Sequence, residues 1–235
     1  MINRLSFVLC AALAGCVVAP TTTTPSVAGS NFTIPTLSGR MAVRNFVKVV
    51  ETVEPVAESI CRERAPQLNC DFKIAVDDSP EAGINAFQTR DDTGRPIIAF
   101  TIPLIAIARN TDELAFIMAH EAAHHIRGHL DKQRQISLAG AQVFGGLAAV
   151  LTGGREDSIR AGAQLGATIG SRTFSKDFEL EADALGTLIA ARAGYDPVRG
   201  AAFFARLPDP GNKFLGTHPA NADRVSTVQA VADRL

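Results

Sequence analysis

Two histidines four positions apart, in His120-Glu121-Ala122-Ala123-His124, are the residues of this chain best suited to metal chemistry. On a helix, positions i and i+4 share a face, so both imidazoles can reach one ion. Neutral imidazole suits zinc. Glu121 can reach a water at such an ion without binding the ion, and its carboxylate can take that water's proton. The bland alternative is a polar helix face carrying His124, His125 and His129. Glu121 and His124 also form a Glu-x-x-His unit of the kind found in di-iron bundles. That architecture needs a second such unit on another helix, and the sequence holds none.

A catalytic zinc takes three protein ligands and keeps one open position. The candidate third ligand is Glu179, in Glu179-Leu180-Glu181-Ala182-Asp183. Glu179 and Asp183 share a helix face, so one can bind metal while the other orients a ligating histidine. Glu181 points about 200° away from Glu179 and is expected to face solvent or a surface partner.

These side chains need elements to hold them. Residues 40–60 have helical spacing through Val43, Phe46, Val47 and Val50, with Pro55 as a kink or boundary. Residues 71–77 alternate as a strand. Residues 84–89 and 96–101 are two more, joined by an Asp91-Asp92-Thr93-Gly94 turn. Asn110 and Glu113 form a capping-box signal for the helix that carries His120 and His124. Residues 137–151 are rich in Gly and Ala and read as a closely packed helix or a membrane-surface element. A last long helix is expected over about 174–193. The fold class is therefore α+β, mainly helical, with a small antiparallel sheet. No internal repeat is visible.

The chain has 235 residues, 46% of them hydrophobic, enough for one core. A net charge of -1, no Trp and a single Tyr argue against nucleic acid as a partner. The N-terminus has a short basic start and an apolar run over residues 5–13, which is the layout of a secretory signal. Leu13-Ala14-Gly15-Cys16 resembles a bacterial lipobox, with Cys16 the lipidated residue. Val17 follows it, with no Asp there to suggest inner-membrane retention. The expectation is a signal over 1–15, a lipidated Thr-, Pro- and Ser-rich tether over 16–38, and one domain over 39–235. The address is the periplasmic face of the outer membrane, with a lipid anchor as the membrane contact. In that oxidising compartment Cys61 and Cys70 are expected to pair as a disulfide.

Four segments together resemble a family of zinc peptidases, the gluzincins that include the HtpX, BepA and Oma-type proteases and the CAAX prenyl protease. They are Asn85-Ala86-Phe87; the run from Thr111 to Phe116 with His120 to His124; Phe174 to Asp183; and Thr217-His218-Pro219 with Arg224. The resemblance covers roughly residues 40–230. Lys176 stands where the family often has Arg. The BepA-like members carry a C-terminal helical-repeat domain, which this chain is expected to lack.

The resemblance implies a zincin-like fold and one zinc held by His120, His124 and Glu179. It implies Glu121 as general base and Asp183 behind a ligating histidine. It places Arg224 near the site, sets the small antiparallel sheet at the edge of the active-site cleft, and puts Asn85, Ala86 and Phe87 on a strand there that could pair with an extended peptide. It puts His218 near the metal, as an inhibitory ligand or an oxyanion stabiliser, while a capping role before Pro219 stays open. The function implied is an endopeptidase acting on unfolded or misassembled envelope proteins. The alternative is an assembly factor that binds clients and rarely cleaves, with envelope assembly machinery as partner.

Overall fold

The computed structural model describes residues 38–207 and 221–235, and only the backbone of 171–175. The expected signal, the tether with Cys16, and the segment with Thr217, His218 and Pro219 lie outside the described residues.

Helix α1 (Gly39–Arg64) buries Ala42, Phe46, Val49, Val53, Ala57, Ile60 and Cys61, a spacing of three and four. Pro55 does not end it. That proline lies on the exposed face, and Val53 and Ala57 on the buried face hold the helix through it. Cys61, near the end of α1, is joined by a disulfide to Cys70, with Cα atoms 5.7 Å apart.

Strands β1 (Lys73–Asp77), β2 (Ala86–Arg90) and β3 (Pro96–Thr101) form one sheet in the order β1-β3-β2. β2 and β3 are antiparallel, with Ala86 opposite Phe100. In the turn between them the Asp91 carboxylate accepts from the Thr93 and Arg95 amides, and Gly94 takes φ +83°. β1 runs parallel to β3, with Lys73 opposite Ile97. The sheet is therefore mixed, which corrects the wholly antiparallel expectation. The hairpin returns the chain to the direction of β1, and β3 then inserts between the other two. Alternation of residue types says which face a side chain takes, not which way its neighbour runs.

β3 is buried and leads into the short α2 (Ile102–Ile107). Phe100 meets Phe46 of α1 edge-on, with ring centroids 5.0 Å apart. Helix α3 (Thr111–Ile126) is apolar on nearly every side and buried between α1 and the sheet on one flank and α5 on the other. Asn110 caps it by accepting the Glu113 amide at 3.0 Å. Glu113 does not complete the box. Its carboxylate takes the Arg109 amide at 2.8 Å and both terminal nitrogens of Arg206. Asp112 binds the Asp196 amide and Arg199. The first turn of α3 thereby anchors α6 (Pro197–Ala201) and the 3-10 turn Phe204–Arg206.

Helices α4 (His129–Thr152) and α5 (Glu156–Arg192) make a long hairpin, closed by Gly153 and Gly154 with positive φ. α5 starts well before the expected position near 174, because its Gly- and Ala-rich first half packs along α4. Its second half crosses α3. A methyl group on Gly186 would sit 3.0 Å from the backbone nitrogen of His120, so glycine sets how closely these helices approach. Helix α7 (Asn221–Ala232) packs on α5.

The disulfide ties α1 to the loop entering β1. Replacing both Cys61 and Cys70 by Ala is expected to cost about 2–3 kcal/mol. Urea unfolding of the variant and of the parent chain measures that difference.

Candidate metal centre

A break in the helical path at Gly128, with φ +66°, separates α3 from α4 and shapes the centre. α3 brings His120 and His124 to the same face, with Nε2 atoms 3.0 Å apart. α5 brings Glu179 across from them. Its carboxylate oxygens lie 3.6 Å from His120 Nε2 and 3.4 Å from His124 Nε2. The three ligating atoms fall within 4.8 Å of one another. This group could hold a metal ion.

Each histidine is oriented from behind. His120 Nδ1 is 2.9 Å from the Asp183 carboxylate, which turns Nε2 toward the centre. Asp183 is fully buried and accepts two bonds from Arg224, at 2.7 and 2.8 Å. Burial opposes its charge, yet the Arg224 and His120 hydrogen bonds hold its carboxyl below the usual range. Arg224 comes from α7, sits over the Phe204 ring with its guanidinium carbon 3.5 Å from the centroid, and stands 3.6 Å from Glu179. For His124, burial disfavours charge, but the Glu179 hydrogen bond and the Glu121 and Glu179 carboxylates outweigh it and raise its pKa.

His124 Nδ1 is met at 2.9 Å by His129 Nδ1, and His129 Nε2 lies 3.4 Å from Glu181. His129 is buried and stacks on Phe178 with centroids 4.6 Å apart. Burial, together with the neighbouring His124, lowers its pKa to about 3. It is therefore neutral, and it can accept the His124 Nδ1 proton while donating its own to Glu181. Spacing gives no hint of this pairing. Five residues on one helix would point His129 away from His124, and the turn at Gly128 brings it back. Glu181 stays half exposed, but it has a partner in His129 as well as solvent.

The centre lies in a cleft of about 430 Å³. Asn85, Ala86 and Phe87 line it together with Glu121, Phe203 and Arg224. β2 is an edge strand, paired only to β3 among the described residues. Burial raises the Glu121 carboxyl above its usual range, and charge on His120 and His124 works the other way. The structure thus gathers His120, Glu121, His124, Glu179, Asp183, Arg224 and the strand at 85–87. Cys61 and Cys70 sit away from the cleft. Cys16 and His218 are outside the described residues.

The profile of peptidase family M48 matches residues 44–232. The chain belongs to that family. Its relatives include the beta-barrel assembly-enhancing protease of Escherichia coli K12, 28% identical over 144 residues, which cover 56% of this chain and 30% of that protein. The protein of the same name from Yersinia pestis is 28% identical over 138 residues, covering 54% and 28%. The mitochondrial metalloendopeptidase OMA1 of Saccharomyces cerevisiae is 27% identical over 172 residues, covering 67% and 46%. The chain spans under a third of the length of the two assembly-enhancing proteases. M48 metallopeptidases are metal-dependent, and His120, His124 and Glu179 are the group here that could bind the ion.

His129 holds His124, one of the three residues that could bind the ion, and is not itself in that group. Replacing it by Ala is expected to weaken metal binding about 10–100-fold while the chain stays folded. Competition with a chelator of known affinity measures the change, and circular dichroism checks the fold.

Proposed function

We propose that this M48 member is a zinc-dependent endopeptidase that cleaves unfolded or misassembled proteins of the bacterial envelope. The convergence of His120, His124 and Glu179 beside Glu121, in a cleft with an edge strand for a wall, carries the reading.

The donor set fits zinc. Bonds of about 2.0–2.1 Å in a tetrahedron place ligand atoms about 3.3–3.5 Å apart. Here the two Nε2 atoms lie 3.0 Å apart, with one oxygen of the Glu179 carboxylate 3.4 Å from His124 Nε2 and the other 3.6 Å from His120 Nε2. Two imidazoles and one carboxylate make a catalytic rather than a closed structural set. Zinc bound there supplies Lewis-acid chemistry, polarising a carbonyl and making water more acidic.

The remaining work falls to the chain. An extended peptide adds to the open edge of β2, and the main chain at Asn85, Ala86 and Phe87 fixes its register across the cleft. Glu121 takes a proton from the attacking water. It then returns that proton to the leaving amine. Its raised pKa suits both steps, because the group must accept and then release within one cycle. Asp183 and Arg224 keep His120 in place. His218 is assigned to the same site on the family resemblance alone, as a resting ligand or an oxyanion stabiliser.

The setting follows from the N-terminal residues. Lipidation at Cys16 would tether the domain to the periplasmic face of the outer membrane, within reach of envelope assembly machinery. The names of two relatives join a protease to beta-barrel assembly. They keep a second reading in play, in which clients are bound and rarely cut.

Glu121→Gln separates the two. It keeps the ligands and removes the base, and hydrolysis of an unfolded substrate such as casein should fall about 10²–10⁴-fold. Metal content should not change. Full client handling in cells by this variant would favour the binding role. Stripping the wild-type chain with a chelator should abolish cleavage, and stoichiometric zinc should restore it. Recovery with every other divalent ion but not with zinc would sink the zinc assignment.

A further inference from the structure

The hairpin of α4 and α5 is built inside out for a protein in water. Small residues fill its interface. A methyl on Gly162 would lie 2.7 Å from the Phe144 carbonyl oxygen, and one on Gly170 would lie 2.8 Å from that of Ile136. Gly145 faces the Ala163 methyl in the same seam. Ile136 and Phe144 are half-buried beside this seam, but most large apolar side chains point outward: Leu138, Val143, Leu147 and Leu165 are exposed, Val150 is 81% exposed and Leu151 is 74% exposed. A water-soluble helix pair puts its large residues inward, because the hydrophobic effect drives the pair together. Helices that pack through small residues and turn large apolar ones outward suit a surrounding of acyl chains.

Charge is distributed to match. No charged residue stands between Arg134 and Arg155, and none between Arg160 and Arg172 on the returning helix. The first of these bands rises about 30 Å, the thickness of a bilayer's hydrocarbon layer. Arg155, Glu156, Asp157 and Arg160 mark its far end, and Asp131, Lys132 and Arg134 its near end. α4 is long and apolar enough to cross a membrane by length and composition. It is neither a core helix, since only His129 and Gly145 of it are buried, nor a leader, lying mid-chain.

We propose that the α4–α5 hairpin docks in the acyl layer of a lipid membrane. The choice of lipid over a second copy of the chain comes from the geometry of exposure. Leu138 and Leu147 are separated by half a turn, about 180°, around α4. One protein face covers one side of a helix, whereas acyl chains cover both. The proposal does not depend on the hydrolytic reading of the metal centre, or on Cys16.

The chain contains no Trp, so a single introduced indole reports alone. Val150→Trp tests the hairpin, and Val43→Trp, at an exposed position on α1, is the control. Each full-length variant is mixed with phosphatidylcholine vesicles whose acyl chains are plain or brominated. The expected result is a blue shift and loss of most emission on brominated lipid for Val150→Trp, with Val43→Trp emitting as in water. Adding Leu147→Glu to Val150→Trp should restore the emission. Equal quenching of both probes would mean general adsorption and would overturn the proposal. So would a water-like, unquenched Val150→Trp. A blue shift without bromolipid quenching would show that another copy, or another segment of the chain, covers the hairpin, and it too would overturn the proposal.

Discussion

A carboxylate with no access to solvent must find a partner for each lone pair it would otherwise have given to water. Asp183 is that group here. Arg224 supplies two hydrogen bonds and His120 Nδ1 a third contact, so α7, α3 and α5 all converge on one buried charge. Taking away one partner of such a buried pair generally costs about 3–5 kcal/mol, since the other charge is left stranded. The arrangement of the last helix against the metal helix is thus fixed by electrostatics as much as by apolar packing. Because Arg224 also lies on Phe204, the 3-10 turn is drawn into the same cluster.

The same logic repeats at the far end of α3. Glu113 is buried and answered by Arg206 and the Arg109 amide, and Asp112 by Arg199 and the Asp196 amide. α3 is therefore held by charged groups at its first turn and again at His120, and clad in apolar residues between them. A helix held in this way keeps its two histidines in one geometry before any ion arrives, which is what rapid metal capture and a stable cleft both require.

Much of the centre was legible because helical periodicity is simple arithmetic. His120 with His124, and Glu179 with Asp183, share faces for the same reason, and Asn110 announced the start of α3. What escaped depends on things a linear pattern does not carry. The parallel pairing of β1 follows from where the chain goes after its hairpin. The persistence of α1 through Pro55 depends on which face the proline occupies. His129 reaches His124 only because Gly128 adopts a left-handed backbone, which resets the helical phase. Glu113 looked like half of a capping box, but its carboxylate goes to the Arg109 amide and to Arg206, 93 residues away, and only the Asn110 half forms. Arg224 near the site came from family likeness, while its bidentate hold on Asp183 came from the structure.

α5 joins the two halves of this molecule in one unbroken run of 37 residues. Nine residues separate Gly170, where the glycine seam ends, from Glu179, a rise of about 13 Å. The helix is therefore a gauge. Whatever holds the hairpin sets the working height of the metal centre above it, and a polypeptide can be reached only where it passes at that height. Selection among substrates would then begin with position, ahead of any preference for side chains in the cleft.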